Sequence, residues 1–227
     1  MADVRARLPI RILLILGAIS TDGNVSAYES LVAAGRRAGF VPLIVGEGIP
    51  EADRAALLDL VAAVLIGGSR ADDSSERRRA SSIPFIQEAA KRRIPVLGFC
   101  YGHQTINRAF GGTIGLIPEG REPHVTHRVD IVPRSRNCFH DIVIDPGSRL
   151  HKVVGADTLT VNSSHRYEVK EIGEGLRVVA RAADGTPEAL EHTDLPVTGF
   201  QFHPETIGDK GEIFDKLIRT ALNGEFF

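Results

Sequence analysis

The sequence predicts an α/β fold: a doubly wound, mostly parallel sheet with helices on both faces and antiparallel strands added in its second half. Three observations lead there. Short apolar, β-rich runs alternate with longer helical patterns through the first hundred or so positions, the order expected of parallel β–α–β units. Runs of both kinds end on glycine, at Gly17, Gly39, Gly67-Gly68 and Gly111-Gly112, where a chain must turn sharply. From Val125 onward the helical patterns give way to short β-rich segments separated by turn residues.

In chain order, Ile10 to Leu16 reads as a buried first strand and Ser26 to Ala38 as a helix stopped by Gly39. Val41 to Val45 is a second strand, Glu51 to Val61 a helix, and Ala63 to Ile66 a third strand. A polar connection from Ser69 to Ser82 leads to a helix expected to start near Pro84, a favoured first-turn residue, and to run to Arg93. Val96 to Phe99 is a fourth strand, followed by a helix from Gly102 to Phe110. Val125 to Val132, Asp141 to Ile144, Thr158 to Val161, Leu176 to Ala182 and Glu188 to His192 read as antiparallel strands, with Asp184-Gly185 as a hairpin turn. Val197 to Gln201 returns as a core strand and Lys210 to Leu222 closes the chain as an amphipathic helix. The parallel part is of the flavodoxin-like kind. With no repeat, low-complexity stretch or linker, residues 1–227 read as a single domain.

Composition narrows the function classes. The apolar fraction of 43% is that of an ordinary globular chain, and a net charge of −2 gives no global field toward nucleic acid or acidic lipid. Cys100 and Cys138 are the only cysteines, too few for a disulfide framework, so a reducing cytoplasmic setting is expected. Arg5, Arg7 and Arg11 before the apolar run to Leu16 imitate a secretory leader. The run is better read as the first strand, and no stretch approaches the roughly 20 apolar residues of a membrane span. The basic clusters Arg77-Arg78-Arg79 and Lys91-Arg92-Arg93 read as solvated faces.

The chemistry is concentrated in two segments. Pro95-Val96-Leu97-Gly98-Phe99-Cys100-Tyr101-Gly102-His103-Gln104 runs an apolar strand into a Gly-X-Cys-X-Gly turn and a helix, the sequence of a nucleophile elbow. The glycines permit the turn, the positive helix terminus favours a thiolate, and the Tyr101 N–H points where an oxyanion would form. The second segment, Gly199-Phe200-Gln201-Phe202-His203-Pro204-Glu205, follows another apolar strand. Strand ends on the carboxyl edge of a parallel sheet share one crevice, so Cys100 and His203 can meet there, with Glu205 placed to hold the imidazole.

Together the two segments resemble the class I glutamine amidotransferase superfamily: Gly98 to Gln104 looks like its nucleophile motif and His203-Pro204-Glu205 like its His-X-Glu motif. The resemblance implies that Cys100 attacks a γ-carboxamide, that His203 is general base and then acid, and that Glu205 orients it. It implies that the Gly68 N–H joins that of Tyr101 in an oxyanion hole, and that Gln104 helps bind the glutamyl group. Asp145-Pro146-Gly147-Ser148-Arg149-Leu150, Val161-Asn162-Ser163-Ser164-His165, Gly175 to Arg181 and Asp184-Gly185 resemble the γ-glutamyl hydrolase branch, including γ-glutamyl-γ-aminobutyrate hydrolases. In that branch a histidine at the place of His165 lies near the pocket, which makes His165, with Arg166 and Tyr167, substrate-binding candidates. The first half departs from that branch: the connection after Gly68 is short and Tyr101, not arginine, follows Cys100, both closer to domains that pass ammonia to a synthase.

The expected substrate is a small γ-glutamyl amide or glutamine, with no cofactor, metal, nucleic acid or membrane. A synthase chain or a second copy of the chain are the partners left open. Three other readings are weaker. An α/β-hydrolase places its acid before its histidine in the chain, the reverse of His203 and Glu205. A metal hydrolase on His124, His127 and His140 has no matching cysteine or carboxylate cluster, and His124 and His127 would face opposite ways on a strand. A binding protein on a decayed scaffold would not keep all three residue types of the triad.

Overall fold

The computed structural model describes residues 10–17, 26–46, 48–68, 73–127, 138–207 and 212–225. Among these residues nine strands form one mixed sheet. In chain order the elements are β1 (Ile12–Leu16), α1 (Ser26–Arg37), β2 (Val41–Val45), α2 (Glu51–Leu60), β3 (Ala63–Ile66), α3 (Asp73–Lys91), β4 (Val96–Phe99), α4 (Tyr101–Ala109) and β5 (Ile114–Leu116). Then follow β6 (Cys138–Ile144), α5 (Arg149–Val154), β7 (Thr158–Ser163), β8 (Tyr167–Val169), β9 (Leu176–Ala182), β10 (Pro187–His192), β11 (Val197–Phe200), a 3₁₀ turn at Pro204–Thr206, and α6 (Glu212–Leu222). The sheet order is β2-β1-β3-β4-β11-β10-β9-β6-β7. The pairings from β2 through β11 are parallel, and those from β11 to β7 are antiparallel. The parallel strands thus stand in the 2-1-3-4-5 order of doubly wound sheets. β5 and β8 form a separate antiparallel pair.

The sequence explains the layering. Successive side chains of a strand face opposite ways, and strands buried on both faces read as continuous apolar runs. Leu13 and Ile15 of β1 therefore join Leu65, Leu97, Leu31 of α1 and Phe214 and Leu217 of α6 in one core. Leu14 and Leu16 join Val64, Ile66, Leu58 of α2, Phe85 and Ile86 of α3 and Ile106 of α4 in the other.

Several expectations need correction. Helix α3 starts at Asp73, not near Pro84, and Pro84 lies inside it; tertiary contacts override the first-turn preference. Arg78 and Arg79 are 1% and 4% exposed, so they are not a solvated face. Their guanidinium carbons lie 4.6 and 4.9 Å from the Tyr101 ring centroid, and Arg78 Nη2 donates to the Leu16 carbonyl at 2.8 Å. In the other basic cluster, Arg92 bonds Glu88 and Asp59 at 2.6 and 2.7 Å. Of the strand expected over Val125 to Val132, residues 125–127 are irregular and 128–132 fall outside the described residues. Local pattern gives no sign of β5, α5 and β8, three- and six-residue elements with too few positions to display a period. The Asp184-Gly185 turn stands where expected, between β9 and β10, with Gly185 at φ 85°.

Candidate active site

β4 delivers Cys100 at its carboxyl end, and α4 begins with the next residue. Cys100 has φ 49° and ψ −99°, a conformation that side chains with a Cβ rarely adopt. The elbow is held from both sides: Cys100 N–H donates to the Phe200 carbonyl at 2.8 Å, and Gln104 N–H donates to the Cys100 carbonyl at 3.1 Å. Its flanking glycines are required by close approach. A Cβ on Gly98 would run into the Gly102 carbonyl, and one on Gly102 would overlap the Ile66 carbonyl oxygen. The first turn of α4 therefore lies directly on β3 and β4, and the Tyr101 N–H is the first of that helix.

β11 lies beside β4 in parallel, with Phe200 paired to Phe99, so both strands end at the same edge, and His203 comes three residues after Phe200. His203 Nδ1 lies 2.9 Å from Glu205 Oε1, within a turn where Glu205 is only 5% exposed. This leaves Nε2 as the ring nitrogen for Cys100. Burial disfavours the imidazolium, but the Glu205 carboxylate and the hydrogen-bonded Cys100 sulfur outweigh it and hold the His203 pKa well above the usual histidine value. Asn162 of β7 fixes the other side of this turn, donating from Nδ2 to the His203 carbonyl at 2.8 Å and to Thr206 Oγ1 at 2.7 Å.

Gly68 faces the same ring: a Cβ there would come within 2.7 Å of His203 Cε1. Its carbonyl accepts from Arg78 Nη1 at 3.1 Å and that of Gly67 from Nη2 at 3.5 Å, so α3 pins the loop by its carbonyls. Cys100, His203, Glu205, Gly68 and Tyr101 are thus brought together. A thiol held by a charged imidazole, at a helix N-terminus and beside a second glycine loop, is a set of groups suited to acyl transfer.

The other candidates fall elsewhere. Gln104 is 5% exposed and spends its amide inside the protein, donating to Gln201 Oε1 and the Tyr167 carbonyl, each at 3.1 Å. Arg166 is exposed, and its carbonyl accepts from Ile117 N–H at 2.9 Å. His165 is buried, with Nδ1 3.1 Å from the Tyr167 carbonyl and Nε2 3.3 Å from Glu188 Oε1. It belongs to a second cluster with His127, His140 and Glu188. Against the expectation of no matching carboxylate, one is present in space, supplied by β10 from far along the chain, while His124 is exposed. Sequence reasoning assigns no role to Asn162 or Arg78. Asn162 stands in a recognisable motif without a partner to suggest one, and Arg78 looks like any residue of a basic surface.

The sequence profile of the family described as Peptidase C26 matches residues 18–205. A protein of Schizosaccharomyces pombe named as a glutamine amidotransferase is 28% identical over 224 residues, covering 92% of this chain and 85% of its own. One of Mycobacterium tuberculosis, named likewise, is 30% identical, covering 91% and 76%. A glutamine-hydrolyzing GMP synthase subunit of Methanopyrus kandleri is 33% identical over 129 residues, covering 57% and 61%. Among solved structures, a Thermoplasma acidophilum protein described as a GMP synthase subunit superposes with a TM-score of 0.72 over 96% of both chains at 16% identity, a likeness of fold.

Proposed function

The chain belongs to the Peptidase C26 family, and from that premise we propose that it is a cysteine amidohydrolase that cleaves the γ-glutamyl amide bond of a small γ-glutamyl amine or of glutamine. The observation that carries the reading is the meeting of a strained Cys100 with a Glu205-held His203 at the end of two adjacent parallel strands. In this reading residues 1–227 act as one catalytic domain.

The Cys100 thiolate attacks the γ-carbonyl carbon. The tetrahedral oxyanion takes hydrogen bonds from the N–H groups of Gly68 and Tyr101, each such donor being worth about 100- to 1,000-fold in rate. His203 donates its proton to the departing amine or ammonia, leaving a γ-glutamyl thioester. His203 then takes a proton from water, the hydroxide attacks the thioester, and glutamate leaves as the thiol re-forms. Gln104 enters this scheme as a positioning residue between α4 and Gln201.

A second reading is favoured by the relatives. The matches include anthranilate synthase component 2 and a GMP synthase subunit, the latter described as glutamine-hydrolyzing. On that reading the chain is a glutaminase that hands ammonia to a separate synthase. Glutamate release from glutamine and from a panel of γ-glutamyl amines, measured for the chain alone and for Cys100→Ala, separates them. Fast turnover of an amine conjugate, lost in Cys100→Ala, supports the stand-alone hydrolase. Slow turnover of every substrate, with Cys100 still readily alkylated, supports the synthase-coupled glutaminase. Turnover unaffected by Cys100→Ala overturns both.

A further inference from the structure

Outside the candidate active site, four side chains from four separate segments converge, three of them buried and His140 partly so. His127 comes from the loop after β5, His140 from β6, His165 from the β7–β8 turn and Glu188 from β10. Glu188 is fully buried, and three imidazoles face its Oε1. Glu188 Oε1 lies 3.3 Å from His127 Nδ1, 3.2 Å from His140 Nε2 and 3.3 Å from His165 Nε2. These are ion-pair distances: by strict donor geometry both Glu188 oxygens and the three facing nitrogens are left without a hydrogen-bond partner among the described residues. A carboxylate this deeply buried requires a cation.

The outer partners fix how the rings face. His127 Nε2 is held by Asp184 Oδ2 at 3.0 Å, and His165 Nδ1 by the Tyr167 carbonyl at 3.1 Å. Each outer acceptor takes the ring N–H, so in the neutral imidazole a lone pair is turned toward Glu188. Lone pairs facing a carboxylate repel it unless a cation lies between them. An imidazolium supplies such charge from one ring at a time, whereas all three rings face the same carboxylate oxygen. A metal ion resolves the arrangement. Carboxylate and carbonyl partners behind ligating histidines are the usual outer shell of such sites. Four ligands at about 2.0–2.2 Å in a tetrahedron stand about 3.3–3.6 Å from one another, close to the separations around Glu188 Oε1.

We propose that His127, His140 and Glu188 bind a divalent transition-metal ion, zinc by its imidazole and carboxylate donors, with His165 as the fourth group at the same point. The three donors lie within 4.8 Å of one another, so closure onto one ion needs only side-chain torsion. Neither Cys100 nor His203 takes part. The ion ties the antiparallel half of the sheet to the loop before it and is structural rather than catalytic.

The test is metal analysis of the full chain purified without chelators, followed by zinc titration of chelator-treated protein with thermal denaturation as the readout. Wild type and Cys100→Ser should both retain stoichiometric metal, and zinc should raise Tm by about 5–10 °C, an effect lost in His140→Gln. Should His140→Gln fail to fold, cobalt(II) added to the wild type decides: a tetrahedral visible spectrum without thiolate charge transfer supports the site, and a thiolate band overturns it. Absence of retained metal together with an unchanged Tm at saturating zinc overturns it, as does uptake that survives His140→Gln and disappears in Cys100→Ser.

Discussion

The backbone at Cys100, with φ 49° and ψ −99°, suits a residue without a Cβ, and holding a side chain there costs on the order of 1–3 kcal/mol. The cost is met by the Phe200 and Gln104 hydrogen bonds and by the two flanking glycines. Cys100→Gly is therefore expected to raise Tm by about 2–4 °C while eliminating glutamate release; thermal denaturation beside the activity assay checks both. The partner residue predicts a pH effect. Glu205 stabilises the imidazolium of His203, so Glu205→Gln should lower its pKa. The alkaline limb of the rate profile, where His203 loses its proton, should then shift to lower pH and the maximum should fall. The measurement is kcat/KM against pH for both proteins, with alkylation of Cys100 as a second probe.

At the scale of elements, α3 does more than cover the sheet. Arg78 reaches through the layer to the carbonyls of Leu16, Gly67 and Gly68. Its removal leaves buried acceptors without their donor, at a cost of about 2–3 kcal/mol. Arg78→Met should lower stability by that amount and reduce kcat more than it raises KM, because the Gly68 loop is loosened while the cysteine and histidine stay in place. Denaturant unfolding and steady-state kinetics report the two effects separately. This is also where the sequence is hardest to read. The parallel strands and the glycine elbow are legible because apolar runs and Gly98, Cys100 and Gly102 have local causes. Arg78 is not, since burial of a guanidinium depends on carbonyls from other loops. The place of His165 is equally hidden, because its environment is set by Glu188 on a different strand, which no local pattern reveals.

For the whole molecule, the parallel half carries Cys100 and His203, and the antiparallel half braces them. The brace is Asn162, fully buried on β7 at the far edge of the sheet and bonded to the His203 carbonyl. Asn162→Leu should lower kcat at least about tenfold, with a smaller change in KM, since a slightly displaced base is costly even when substrate still binds. An unchanged kcat would show that the 3₁₀ turn holds His203 unaided.

The pairing of β4 with β11 has a consequence for how such a scaffold can diversify. Cys100 and His203 follow, by one and three residues, the last rung of one hydrogen-bonded ladder, although nearly half the chain separates them in sequence. Their spacing is therefore set by backbone pairing and is indifferent to the length of the excursion that leaves after α4 and returns at β11. The loops of that excursion can be lengthened, shortened or exchanged while β4 and β11 keep their register, provided Asn162 still reaches the His203 carbonyl, so specificity can be rewritten by insertion without retuning the chemistry.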